Sequence, residues 1–136
     1  MLEPKPILLV EDDDVDIMTI RRAFRKGNLR QELVVVNNGE EALDYLQDPN
    51  TLQPDVILLD LNMPLMDGVT FLRIVKRDPE LRKIPVVILT SSEEDQDRFE
   101  TFDLSVAGYL LKPVEFAQFV HTLQVLTNYW QMSHRA

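Results

Sequence analysis

The sequence predicts an α/β fold in which a five-stranded parallel sheet carries five helices on its two faces. Short apolar runs alternate along the chain with segments whose apolar residues recur at helical spacing. The runs lack an apolar–polar alternation, which is typical of strands buried on both faces of a sheet. Strictly alternating strands and helices of these lengths form a parallel sheet between two helical layers.

The predicted strands are apolar runs that stop at polar or turn residues. They cover residues 7–10, 33–36, 56–59, 85–89 and 108–111. The segments between them predict helices from Ile17 to a cap at Gly27, over residues 40–47 and 69–76, and after an N-cap at residues 90–92. A fifth helix is predicted from about residue 114 to about residue 132.

Length and composition restrict the class of protein. A chain of 136 residues fits one compact domain, and we expect a core over about residues 6–126, a frayed tail at 132–136 and no output domain. Cysteine is absent, which excludes disulfides and thiolate metal sites. The net charge of −9 argues against nucleic-acid binding. No signal peptide or membrane span is recognised, so we expect a cytoplasmic protein.

Acidic residues follow two of the predicted strands at the edge where parallel sheets hold their functional sites. Glu11 and Asp12 end the first strand and Asp60 ends the third. Converging carboxylates repel one another unless a cation lies among them. Oxygen ligands without His or Cys select Mg²⁺, with Mn²⁺ or Ca²⁺ as alternatives, and protein-bound Mg²⁺ usually meets a phosphate.

Three further features suit a phosphoryl group at the same edge. Asp60 can act as a nucleophile, because carboxylates form acyl phosphates. Lys112, after the fifth strand, offers a compact cation, and Thr90, after the fourth, offers a hydroxyl donor. Each residue alone has an ordinary structural interpretation, such as a turn, a strand end or a surface charge. Together they predict Mg²⁺-dependent phosphoryl transfer to Asp60.

The ordered set Glu11-Asp12, Asp60, Thr90 and Lys112-Pro113 resembles the receiver domain of two-component response regulators. The resemblance covers about residues 6–126. It implies a flavodoxin-like sheet with strand order 2-1-3-4-5. It also implies a phosphorylation switch that acts only on itself and is not an enzyme for other substrates.

The resemblance also implies a role for each site residue. Asp60 matches the phosphoacceptor, and Lys112 matches the phosphate-binding lysine, with a cis peptide bond to Pro113. Thr90 matches the switch hydroxyl that turns toward the phosphate, and Tyr109 matches the switch aromatic. The implied Mg²⁺ ligands are the carboxylates of Asp12 and Asp60, the backbone carbonyl of Asn62 and, through water, Glu11.

Further stretches are similar to stand-alone receivers that partner bacterial phytochromes and related sensor kinases. They lie at residues 55–64, 77–85 and 128–130. The implied partner is a sensor histidine kinase or a phosphotransfer protein. The last predicted helix shows Val125, Tyr129 and Met132 away from its core stripe, which favours a contact surface. This surface would serve self-association or a partner protein, and a homodimer through the face formed by the fourth helix, fifth strand and fifth helix is one form it can take.

Three other functions compete with the phosphorylation switch. A Mg²⁺ phosphatase would need a second acid two residues after Asp60, where the chain has Asn62. A flavin-binding protein would need a phosphate-cradling loop after the first strand, where acids at residues 11–14 would repel the phosphate. A docking or dimerisation module of the same fold that works without phosphorylation stays open as the alternative function.

Overall fold

The structure, a computed structural model, describes residues 5–27, 31–61, 68–112, 117–118, 121–122 and 124–125. Five strands alternate with helices along this part of the chain. The strands are β1 (Ile7–Val10), β2 (Leu33–Val36), β3 (Val56–Asp60), β4 (Val86–Thr90) and β5 (Gly108–Leu111). The helices are α1 (Asp14–Lys26), α2 (Gly39–Gln47), α3 (Gly68–Arg77), a 3-10 helix (Leu81–Lys83) and α4 (Glu93–Glu100).

The sheet has the predicted topology. Its strands are parallel and follow the order β2-β1-β3-β4-β5. β3 and β4 each reach one residue beyond the predicted ends, because Asp60 pairs with Leu89 and Thr90 pairs with Leu111 in the ladder. The two polar site residues are therefore fixed by the sheet itself and not by the loops that follow it.

Two apolar layers cover the sheet, one on each face. Because neighbouring side chains of a strand point to opposite faces, Leu8 and Val10 pack with α2 and α3, while Ile7 and Leu9 pack with α1. All four side chains are fully buried. This three-layer arrangement explains why the strands read as unbroken apolar runs in the sequence.

Three of the helices begin at polar caps that follow strand ends. The Asp13 carboxylate accepts hydrogen bonds from the backbone N–H groups of Val15 and Asp16, at 2.9 and 3.0 Å. Asn38 caps α2 and Ser92 caps α4 in the same way. Side-chain caps of this type satisfy N–H groups that have no partner within the helix. They place the start of each helix beside the carboxyl end of the sheet.

The helix count differs from the prediction within the described residues, where four α-helices and a 3-10 helix form full elements. The 3-10 helix was not predicted. It buries Leu81 in the layer that contains α2 and α3. The predicted fifth helix falls mainly on residues outside the described part, but residues 117–118, 121–122 and 124–125 are helical. None of the described helices is both long and apolar enough to span a bilayer.

Candidate metal and phosphoryl site

Three acids converge at the carboxyl end of the sheet. Glu11 follows β1 directly, Asp12 follows Glu11, and Asp60 is the last residue of β3. Each offers one carboxylate oxygen, and these oxygens lie within 4.8 Å of one another. Glu11 and Asp60 are buried, whereas Asp12 is exposed. The arrangement gives a compact group of hard oxygen donors with one side open to solvent.

Lys112 supplies the positive charge beside these acids. Its Nζ atom lies 2.6 Å from Glu11 Oε1 and 3.3 Å from Asp60 Oδ1. A third contact, at 2.9 Å, joins it to Asp16 Oδ2. The side chain of Lys112 is only 13% exposed, so these charges interact in a partly desolvated environment.

The surroundings change the proton affinities of both partners in the shortest ion pair. Burial raises the pKa of Glu11 to about 7, and the neighbouring Asp60 adds to the rise, while Lys112 opposes it. Burial by itself lowers the pKa of Lys112, but its hydrogen bonds to Glu11 and Asp16 raise that pKa well above its ordinary value. The lysine therefore stays charged, and a single ammonium does not fully compensate the acids around it.

Backbone contacts fix the strand ends that carry these groups. The Glu11 N–H donates to Val36 O at 2.9 Å, and the Asn37 side-chain amide donates to Glu11 O at 3.0 Å. The Lys112 N–H donates to Thr90 O at 2.7 Å. These bonds tie the ends of β1 and β5 to neighbouring strands, so the site is preorganised by the sheet.

Gly68, at the start of α3, also lies against this edge. A Cβ atom at Gly68 would come within 3.3 Å of Leu61 Cα and 3.5 Å of Asp60 O. The 3.3 Å approach to Leu61 Cα is tighter than most Cβ contacts, so a side chain at this position would require a small shift of the neighbouring backbone. The glycine therefore lets α3 begin directly beside the end of β3.

The acidic site fits a divalent cation by its donor chemistry. Mg²⁺ prefers carboxylate and water oxygens and is commonly held by one or two carboxylates beside a phosphate. A cation among Glu11, Asp12 and Asp60 would compensate the repulsion that, with burial, raises the pKa of Glu11. The site therefore accepts the cofactor that the sequence predicts.

Comparison with known families decides the identity of the fold. The model of the response regulator receiver domain matches residues 7–124. The chain belongs to the response regulator receiver domain family. The chain is therefore a receiver of the two-component type, whose acidic pocket binds Mg²⁺, as the sequence predicts.

Three receivers show how similar the chain is to characterised members. It is 34% identical to the response regulator Rcp1 of Synechocystis over 131 residues, covering 93% of this chain and 89% of Rcp1. A Mn(2+)-bound structure of Rcp1 superposes with a TM-score of 0.76, covering 93% of this chain and 94% of that one.

The bacteriophytochrome response regulator AtBRR is 44% identical, with a TM-score of 0.83 and coverage of 93% and 94%. The phosphorylated cyanobacterial phytochrome response regulator RcpA is 37% identical, with a TM-score of 0.77 and coverage of 96% of both chains. These similarities confirm the predicted resemblance to receivers related to phytochromes.

Of the two predicted switch residues of the receiver, Thr90 is the last residue of β4 and Tyr109 is the second residue of β5. Thr90 is fully buried, and its hydroxyl donates to Ser92 O and accepts from the Ser92 N–H, both at 3.3 Å. Tyr109 is half-buried and meets Phe99 edge to face, with ring centroids 6.2 Å apart. Burial, followed by the nearby Glu100, raises the pKa of the Tyr109 phenol.

Sequence reasoning missed Asp16, which contacts Lys112 from the first turn of α1. The spacing of residues along α1 could have pointed to Asp16. Asp16 precedes the buried Ile20 by four residues and so lies on the same stripe of α1 as the apolar core residues. An acid on the core stripe, at the helix end nearest the other acids, could have been recognised as part of the charged cluster.

Several predicted residues fall outside the described part of the chain. They are Asn62, Pro113, Tyr129 and Met132. The carbonyl ligand, the cis peptide bond at Lys112-Pro113 and most of the predicted contact surface therefore stay predictions. Val125 belongs to the described part and is 51% exposed, as expected for a residue outside the core.

Proposed function

We propose that Asp60 accepts a phosphoryl group from the phosphohistidine of a sensor histidine kinase or phosphotransfer protein. The observation that carries this proposal is the position of Asp60, within 4.8 Å of two other acids and 3.3 Å from the ammonium of Lys112. Acids alone would repel a phosphoryl group, and a lysine alone would not hold a metal. Their combination provides both a nucleophile and the positive charge that a transferred phosphoryl group needs.

The reaction forms one bond and breaks one bond. A carboxylate oxygen of Asp60 forms an O–P bond to the phosphorus while the N–P bond of the phosphohistidine breaks. The imidazole nitrogen leaves with the electron pair, and the product on the receiver is an acyl phosphate. Lys112 donates a hydrogen bond to a phosphoryl oxygen, which steadies the negative charge before and after transfer.

The metal ligands of this proposal are those implied by the sequence. Asp12 and Asp60 would hold the cation directly, the backbone carbonyl of Asn62 would add a third protein oxygen, and Glu11 would act through water. When bound, Mg²⁺ neutralises charge on the transferring phosphoryl group. The closeness of the three carboxylates, and the exposure of Asp12 on the open side, support this assignment.

Thr90 and Tyr109 would carry the switch. The Thr90 hydroxyl has two long hydrogen bonds to Ser92, and bonds of this length are readily exchanged for one to a phosphoryl oxygen. Movement of Thr90 would open space beside Tyr109 and bias an existing two-state equilibrium. The half-buried position of Tyr109 against Phe99 of α4 is compatible with rotation toward or away from the core.

The output of the switch would be contact with another protein and not turnover of an added substrate. A single receiver domain over residues 1–136, acting without nucleic acid or membrane, is part of this proposal. AtBRR is a bacteriophytochrome response regulator and RcpA is a cyanobacterial phytochrome response regulator, and both similarities support a bacterial phytochrome as the kinase. Location in the cytoplasm stays a prediction from the sequence.

Self-association is the second part of the output proposal. Leu111 of β5 is 40% exposed and Val125 is 51% exposed, which supports an apolar contact on the face of α4, β5 and the last predicted helix. We expect Tyr129→Ala to weaken a homodimer through this face in sedimentation velocity. An unchanged sedimentation profile would count against the interface and would leave the phosphorylation site unaffected.

Labelling at Asp60 tests the main proposal. Incubation with Mg²⁺ and a small phosphoramidate donor should give one acid-stable, base-labile phosphoryl group per chain. Asp60→Asn should lose it, whereas Asp55→Asn, at a buried aspartate before β3, should keep it. Equal labelling of Asp60→Asn and wild type would exclude Asp60 as acceptor. Absence of labelling in the wild type would favour the docking or dimerisation module.

A further inference from the structure

Asp16 makes a contact that the proposed mechanism does not use. Its Oδ2 atom lies 2.9 Å from Lys112 Nζ, closer than the 3.3 Å that separates Nζ from Asp60 Oδ1. Asp16 does not belong to the group of acids that could hold a metal within the described residues. It therefore binds the lysine of the site without taking part in the proposed cation site.

The ammonium of Lys112 has as many donors as it has acidic partners in the described part of the chain. The Nζ atom lies within 3.3 Å of carboxylate oxygens of Glu11, Asp16 and Asp60, and an ammonium has three N–H donors. A phosphoryl group on Asp60 brings additional anionic oxygens and more negative charge to the same ammonium. An N–H group of Lys112 must then turn to the phosphoryl oxygens, and at least one existing contact to a carboxylate weakens.

Exposure indicates which contact is released first. The Glu11 side chain is 0% exposed, so loss of its cation would leave a buried carboxylate uncompensated. The Asp16 side chain is 30% exposed, and water can replace the ammonium there at low cost. Asp16 is therefore the partner that Lys112 gives up most easily.

The backbone position of Asp16 is set by its helix. Its backbone N–H donates to the Asp13 carboxylate at 3.0 Å, in the N-cap that starts α1. Ile20, one turn later on the same stripe, is buried against the sheet. The carboxylate of Asp16 is thus held beside Lys112 before any ligand arrives.

We propose that Asp16 is a positioning residue that holds Lys112 in the resting receiver and competes with the phosphoryl group for its ammonium. The effect is to lower the affinity of the site for a phosphoryl ligand and to favour the unphosphorylated state. This inference rests on the proposed function of Asp60. It assigns to Asp16 a role in setting the phosphorylation equilibrium, through Lys112 and not through the metal.

The test uses beryllofluoride, a mimic of the phosphoryl group, titrated into the full chain with saturating Mg²⁺ and followed by ¹⁹F NMR. Asp16→Asn keeps the shape of the side chain and removes its charge. Asp14→Asn is the matched control, because Asp14 is an exposed acid in the same first turn of α1. We expect Asp16→Asn to bind beryllofluoride about three- to tenfold more tightly than Asp14→Asn, as for release of a partly screened charged hydrogen bond.

A second measurement separates this role from a general effect on folding. Mg²⁺ affinity without beryllofluoride should stay the same or fall slightly in both variants, because each loses one negative charge from the first turn of α1. A damaged fold would weaken the binding of both Mg²⁺ and beryllofluoride. Tighter beryllofluoride binding without tighter Mg²⁺ binding is therefore specific to release of Lys112.

The two proposals fail in different ways. Beryllofluoride affinity of Asp16→Asn equal to or weaker than that of Asp14→Asn would overturn the role of Asp16, even when the wild type binds normally. Absence of Mg²⁺-dependent beryllofluoride binding in the wild type would overturn the proposed function of Asp60.

Discussion

Two buried aspartates bracket the same strand of this receiver and have different surroundings. Asp55 immediately precedes β3 and Asp60 is its last residue. Their exposed fractions, 7% and 4%, are nearly equal. Asp60 faces Lys112 and lies among further acids, whereas Asp55 accepts a hydrogen bond from the Gln31 side-chain amide at 3.3 Å. Burial alone therefore does not distinguish a functional aspartate from a structural one.

The contacts described for the two aspartates differ between the two ends of the strand. At the amino end, Asp55 also donates its backbone N–H to Pro6 O at 2.9 Å, a bond that joins the chain segments before β1 and β3. At the carboxyl end, several like charges share one ammonium. Such an arrangement is costly for a fold and useful for binding a cation and a phosphoryl group.

The strongest test of this comparison is the response to Mg²⁺. We expect Asp12→Ala to abolish Mg²⁺-dependent labelling and the rise in Tm that Mg²⁺ gives the wild type, because a ligand that binds the folded state stabilises it. Asp55→Asn should retain both responses, measured by phosphoryl incorporation and thermal denaturation. Unchanged labelling of Asp12→Ala would contradict the assignment of Asp12 to the metal.

Removal of Lys112 should give the next largest effect. Lys112→Met leaves the buried carboxylates of Glu11 and Asp60 without their cation, which typically destabilises by roughly 3 kcal/mol. Urea denaturation in a chelator measures this loss. Lys83→Met is the control, since Lys83 is 63% exposed and meets Glu80 at 3.8 Å. A loss no larger than that of the control would show that the acids do not depend on Lys112 for stability.

Ionisation of Glu11 should lower the free energy of unfolding of the metal-free protein as the pH rises. Its pKa is about 7 in the folded chain against an ordinary value of 4.5, so the folded state binds more protons between these pH values. The stability that protonated Glu11 contributes is complete below pH 4.5 and is lost as the pH passes 7, a decrease of roughly 1–3 kcal/mol. Denaturation in a chelator from pH 5 to pH 8 should show a smaller decrease for Glu11→Gln.

The control for the decrease in stability with pH is Glu40→Gln, at an exposed acid in the first turn of α2. It should follow the wild type at each pH, because it removes one surface carboxylate and leaves the site intact. Identical slopes for Glu11→Gln and the wild type would mean that burial of Glu11 does not control its protonation.

The sequence predicted the sheet and its order well because buried parallel strands leave an unmistakable apolar pattern. It also predicted that Glu11, Asp12, Asp60 and Lys112 meet, since parallel strand ends share one edge. It did not predict that Asp16 contacts Lys112, because an acid in a first helical turn is common for helix stability alone. The hydrogen bonds between Thr90 and Ser92 also depend on a rotamer that spacing does not determine.

The smallest effect is expected at the amino end of the sheet, where the comparison began. Gln31→Ala removes a long hydrogen bond between a partly exposed amide and Asp55, and should cost about 1 kcal/mol or less in urea denaturation. Mg²⁺-dependent labelling should stay at the wild-type level. A loss as large as that of Lys112→Met would mean that the hydrogen bond from Gln31 matters as much to the fold as the ammonium of Lys112. The two aspartates would then differ in chemistry but not in their contribution to the fold.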